Sequence, residues 1–140
     1  MKVPGILIFA LALVIGIVPL FTECAAQGRE ELKLANGMTV PMKCHWTAVA
    51  ELVLAIPLAA LGGMLAFSKR KETRLSLSTM GALLGVFVVL IPTTLIGVCA
   101  SNMMLCNMLM SPALVLSGVL VVATSLASLV ISYRAKEQAA

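Results

Sequence analysis

Few side chains in this sequence can do chemistry, and many of them crowd into one stretch. Met42-Lys-Cys-His-Trp-Thr-Ala-Val-Ala-Glu-Leu-Val-Leu carries Cys44, the single His (His45), the single Trp (Trp46) and Glu51, an acid inside an apolar run. Cys24 lies upstream, Cys99 and Cys106 downstream, with Met103, Met104, Met108 and Met110 around the last of these. Three kinds of chemistry are open to such a set. Cysteines outside a reducing compartment oxidise to disulfides, and these four allow three pairings. Thioether, imidazole and thiolate donors suit Cu(I), so His45, Met42, Met103, Met104 and Met108 are candidate copper ligands. Methionine is also a flexible filler of apolar segments, which is the plainer reading. An acid inside a membrane span is costly and marks a functional site by default. Glu51 can equally lie shallow, satisfied by loop groups or paired with Lys43 or Arg29. Cys44, Thr47 and Glu51 fall on one helical stripe. Trp46 reads as an anchor at the membrane interface.

The stretch has an echo. Met104-Leu-Cys-Asn-Met-Leu-Met-Ser-Pro-Ala-Leu-Val-Leu aligns with it without gaps, Met42 on Met104, Cys44 on Cys106 and Leu52-Val53-Leu54 on Leu114-Val115-Leu116. This suggests two duplicated helical hairpins in the same orientation, a parallel repeat. The repeat favours Cys24–Cys44 and Cys99–Cys106 as disulfides, either structural staples or exchanging redox pairs. Two Cys pairs on a four-span protein resemble in layout the quinone-coupled disulfide oxidoreductases. The chain lacks their Cys-x-x-Cys, which supplies a low-pKa attacking thiol. No other catalytic constellation is present. The chain has no Asp and no Gly-rich phosphate loop, so a non-enzymatic role is expected.

The elements that must position these residues follow from composition. The chain has 140 residues, of which 61% are apolar and 11% charged, and a mean hydropathy of +1.08. A soluble domain carries about 25% charged residues. So much apolar side chain cannot be hidden from water at this length, so lipid is the expected solvent. Four runs are long enough to span a bilayer, about 3–21, 47–67, 77–98 and 108–133, with an outer loop over 22–46. They are apolar throughout rather than alternating, which excludes membrane strands. The expected fold is therefore an all-α integral membrane protein, a single four-transmembrane-helix bundle. The first run is longer than the core of a signal peptide and is read as a retained helix.

Orientation follows from Lys and Arg. Lys69, Arg70, Lys71 and Arg74 face Glu72 alone in the second connection, and Arg134 and Lys136 follow the last span. The first connection balances Arg29, Lys33 and Lys43 against Glu23, Glu30 and Glu31, and the third is uncharged. Both termini are thus expected in the cytoplasm of a cell membrane, with the cysteines outside. The net charge of +4 reads as topology rather than as nucleic-acid binding.

Finer punctuation completes the expectation. Thr47 and Ser111-Pro112 read as starts of the second and fourth helices. Pro57 and Pro92 should kink the second and third. Small residues at Gly81/Gly85, Ala55/Ala59/Gly63 and Thr124/Ser128/Ser132 offer close-packing faces. Asn36-Gly37 between Leu32-Lys33-Leu34 and Met38-Thr39-Val40 predicts a small extracytoplasmic β-hairpin with a two-residue turn.

At Met42-Lys-Cys-His-Trp-Thr-Ala, Met104-Leu-Cys-Asn and Ser111-Pro-Ala-Leu the chain resembles a prokaryotic family of small four-span membrane proteins classed as a domain of unknown function. Members tend to be encoded near ABC-type permeases of the lipoprotein-release and macrolide-export class. The resemblance implies an accessory subunit; the lack of a catalytic set beside ample packing motifs points to a non-catalytic one that docks a larger permease or another copy of itself, with no cofactor expected. The alternative is an extracytoplasmic thiol-redox or copper-handling protein.

Overall fold

A computed structural model describes residues 3–22, 31–41, 43–98 and 106–137. Long apolar runs in lipid must satisfy every backbone group internally, and helices do so. The chain accordingly forms α1 (Val3–Thr22), α2 (Lys43–Phe67), α3 (Lys71–Leu90) and α4 (Ser111–Glu137). Two π-helical turns, Ile91–Leu95 and Cys106–Met110, extend α3 at its end and α4 at its start. The spans Val3–Thr22, Lys43–Phe67, Lys71–Leu95 and Cys106–Arg134 are long and apolar enough to cross a membrane, the pattern of a multi-pass membrane protein.

Two of these helices start before the apolar runs that mark them. Nothing in Lys43-Cys-His-Trp breaks a helix, so α2 starts just after Pro41 rather than at Thr47. Lys71-Glu-Thr-Arg is equally helix-compatible, so α3 starts six residues before Leu77. Apolarity marks the lipid-embedded part of a helix, not its end.

α1 packs chiefly on α2 and α3 on α4, as two hairpins, while α1–α4 and α2–α3 contacts close the ring. α2 and α4 are thus diagonal to one another. A third of each span is buried inside the bundle, and Ile56, Phe87, Leu116 and Val130 are among the apolar side chains left outside. The buried set includes Thr47, Glu51, Ser78, Ser117, Ser125 and Ser128. Polar groups inside and apolar ones outside are the arrangement that lipid demands.

Apolar burial does not drive helices together in lipid, so close backbone approach must. Gly62 supplies it in the first hairpin, where a Cβ would sit 2.7 Å from Phe9 N and 3.0 Å from Gly5 O. The expected face holds at Ala55, which packs against Gly16, and ends on Gly62 rather than Gly63, since a Cβ on Gly63 meets nothing within 4 Å. Gly85 and Gly118 play the same part in the second hairpin, against Val122 and Val89. Gly81 faces Ser125 Oγ. The Gly81/Gly85 face is therefore consumed inside the bundle.

Between α1 and α2, β1 (Glu31–Lys33) pairs antiparallel with β2 (Thr39–Pro41), with Leu32 opposite Val40. The turn differs from the two-residue form expected at Asn36-Gly37. That form needs positive φ at both residues. Among the described residues only Gly37 (φ 74°) and Gly97 (φ 77°) have positive φ. Gly37 N–H donates to Leu34 O at 3.0 Å and Leu34 N–H to Met38 O at 2.9 Å. Ala35 and Asn36 thus form the corner, and Gly37 takes the left-handed position after it.

Candidate functional site

α2 buries a polar stripe in its first three turns. Cys44, Thr47 and Glu51 each have no exposed surface, and Ala48 lies between them. This is the i, i+3, i+4, i+7 face of a helix, turned to the bundle axis. His45 and Trp46 necessarily turn away from it. Trp46 is exposed, and its ring meets His45 edge to face at 6.1 Å.

The end of α3 meets this stripe. Pro92 has no N–H to give to the carbonyl four residues back, and the helix widens there into a π turn. Thr93 and Thr94 hydroxyls donate to Val89 O at 2.7 Å and Leu90 O at 3.1 Å. Ile96 and Gly97 N–H both donate to Ile91 O at 3.1 Å. Gly97 then leaves the helix with positive φ, and its carbonyl accepts a 2.8 Å hydrogen bond from Thr47 Oγ1. The expected N-cap is therefore a mid-helix strut: its hydroxyl ties α2 to the end of α3.

The second hairpin supplies Cys106 and Met110, one turn apart and fully buried. Cys106 Sγ lies 3.2 Å from Cys44 Sγ. A disulfide has S–S near 2.05 Å, so this is a contact and not a bond. The pairs Cys24–Cys44 and Cys99–Cys106 each have one member, Cys24 or Cys99, outside the described residues.

Glu51 lies two turns below Cys44 and one below Thr47. Neither carboxylate oxygen has a hydrogen-bond partner among the described residues. The pairing with Lys43 is therefore not made, and Arg29 lies outside the described residues. A buried carboxyl without partners is costly, more so in a low-dielectric surround. The stripe thus joins two sulfurs, a thioether, a braced hydroxyl and an unsatisfied acid at one end of the axis. Chemically it sets the Cys106 thiol against the Cys44 sulfur, and it can offer Glu51 to a proton, a cation or a hydrogen-bond donor.

The five candidate copper ligands are not seen together. Met42, Met103 and Met104 lie outside the described residues, Met108 is 71% exposed and His45 is half-buried. Among the described residues no three His, Cys, Asp or Glu side chains gather around a cation position. Met110 belongs to the methionine cluster seen in the sequence but was not expected as a buried neighbour of Cys106, and Gly97 was not singled out at all. Met110 is four residues from Cys106, a spacing that places both on one helical face. Gly97 follows a Pro-Thr-Thr run that ends a helix. Both signals were available.

No match was found among curated proteins or among solved structures. A family model matches residues 6–131, from early α1 to late α4, and on that match the chain belongs to the family described as domain of unknown function DUF4418.

Proposed function

We propose that this protein is a non-catalytic accessory subunit of a larger membrane complex, with an ABC-type permease as the partner class that the family resemblance implies. One observation supports the reading above others. Every chemistry-bearing side chain of the axial site, Cys44, Thr47, Glu51, Cys106 and Met110, is fully buried. Reactive cysteines are partly exposed in electropositive surroundings, whereas buried ones are inert and structural. The outward surface is apolar on all four helices, which leaves ample area for a partner's helices as well as for lipid. In this reading both chain ends and the basic connection Ser68–Arg74 face the cytoplasm, and the β-hairpin and axial site face outward.

Purification from the native host in mild detergent tests this. A permease should co-purify in fixed stoichiometry. A lone monomer active in isolation overturns the reading, and a homo-oligomer alone transfers the interface to a second copy.

A thiol-redox reading has one observation in its favour, the 3.2 Å contact between Cys44 and Cys106 from different hairpins. Exchange between alternative disulfides needs sulfurs this close. Thiol counting by mass spectrometry, with and without reductant, separates the two readings. Stable pairs favour the subunit, and readily exchanging pairs favour redox chemistry.

A further inference from the structure

The opposite end of the bundle carries a second polar feature, unrelated to the axial site. A cavity of about 70 Å³ opens there among Pro4, Leu65, Arg74, Ser128, Ile131 and Ser132. All four helices contribute to it, α1 by its start, α2 by its end, α3 by its first turn and α4 by its last turns. Its walls are mostly apolar, from Pro4, Leu65 and Ile131, and its polar groups are one guanidinium and two hydroxyls.

Two features of those polar groups point to a ligand. Arg74 is braced: Nε and Nη2 both donate to Ser68 O, at 2.9 and 2.6 Å. The brace fixes the guanidinium beside the cavity that Arg74 lines. Ser128 is 6% exposed, and its Oγ has no hydrogen-bond partner among the described residues. A buried hydroxyl left without a partner is unusual and calls for an explanation. Here the hydroxyl lines a cavity that a ligand could enter.

We propose that this cavity binds the phosphate of an anionic phospholipid, with Arg74 and the Ser128 hydroxyl as its donors and the acyl chain leaving along Ile131. The guanidinium charge draws phosphate oxygens, and it is more weakly hydrated than an ammonium. On the scale where ~10–15 Å³ holds one water, such a cavity admits a group of about five heavy atoms, the size of a phosphate. The site sits at the level where headgroups lie, at the ends of the spans. Lys69, Arg70 and Lys71 are exposed beside it and raise the local concentration of anionic lipid. The apolar walls select a lipid over free phosphate, because inorganic phosphate gains nothing from Leu65 and Ile131.

Native mass spectrometry of the full-length protein tests the assignment, with phosphatidylglycerol, phosphatidylcholine or inorganic phosphate added to the detergent solution. Phosphatidylglycerol should be retained as a single tight adduct, well above phosphatidylcholine, and millimolar inorganic phosphate should not displace it. Ser128→Ala removes a hydroxyl that has no hydrogen-bond partner among the described residues, so the fold should survive it, while retention falls about three- to tenfold, the range of one hydrogen bond. Arg74→Gln should abolish the preference for the anionic lipid, and Arg74→Lys should restore it only in part. Lys69→Gln, which lies outside the cavity, should change little. Equal retention of the two lipids overturns the proposal, as does an unaffected Ser128→Ala variant. A Lys69→Gln loss as large as that of Arg74→Gln reduces the effect to surface charge and also overturns it. Displacement by inorganic phosphate would show a free-phosphate site instead of a lipid site.

Discussion

Cys44 and Cys106, the matching residues of the two hairpins, meet at 3.2 Å between their sulfurs. They belong to α2 and to the turn before α4, helices that stand diagonally in the bundle. Both sulfurs are fully buried, so the contact lies inside the bundle and ties one hairpin to the other. With Cys24 and Cys99 replaced by Ser, mild oxidation should join Cys44 to Cys106 within one chain. Intact mass should show the loss of two hydrogens, and non-reducing peptide mapping should recover the joined peptides. Intermolecular dimers in their place would contradict the contact.

The two neighbouring glycines of α2 should respond in opposite ways. Gly62→Ala places a Cβ against the backbone of Phe9 and Gly5 and should destabilise the α1–α2 hairpin by about 1–3 kcal/mol, the cost of overpacking. Gly63→Ala meets open space and should be neutral or stabilising by up to about 1 kcal/mol, from helix propensity. Thermal unfolding in detergent compares them. Equal effects would mean that the hairpin does not pack at Gly62.

Glu51 sets a contest between stability and function. Glu51→Leu removes a buried carboxyl that has no hydrogen-bond partner among the described residues and should stabilise the bundle by about 1–3 kcal/mol. Glu51→Gln keeps the size and should leave expression near normal, while impairing any activity of the intact complex that uses the acid. If the Gln variant is silent in every such assay, the acid has no functional part. If the Leu variant is less stable than the parent, Glu51 has a partner that satisfies it.

Thr47→Val keeps the shape and removes the hydroxyl that holds Gly97 O. The loss should be about 0.5–1.5 kcal/mol, the net worth of one hydrogen bond to a half-buried carbonyl. Hydrogen exchange should rise at residues 94–97 and stay unchanged at the β-hairpin. A uniform rise would show global destabilisation and would argue against a local strut.

Cysteines introduced in a Cys-free background at Asn36 and Lys71 should label from opposite sides of the membrane, Asn36 from outside and Lys71 from the cytoplasm. Labelling of both from one side would refute the orientation read from the basic residues.

Much of this was legible in the residues themselves. Length, apolarity and the scarcity of charge determined four helices long and apolar enough to cross a membrane. Pro92 and Ser111-Pro112 marked where the third helix is disturbed and where the fourth begins, because a missing N–H acts locally. The one-stripe spacing of Cys44, Thr47 and Glu51 was also local, since helical periodicity alone decides it. Tertiary structure decided the rest. A small residue at helical spacing shows that a close approach is possible and not which helix takes it, so Gly62 rather than Gly63 emerged only from the packing against Phe9. Thr47 carried the sequence signature of a cap, yet its hydroxyl serves Gly97, fifty positions away, a partner that no local pattern encodes. Cys44 and Cys106 could be aligned from the sequence, but contact between them required α2 and α4 to stand across the axis. That arrangement follows from which helix faces fit together, and side-chain shape in three dimensions, not hydrophobic period along the chain, determines the fit.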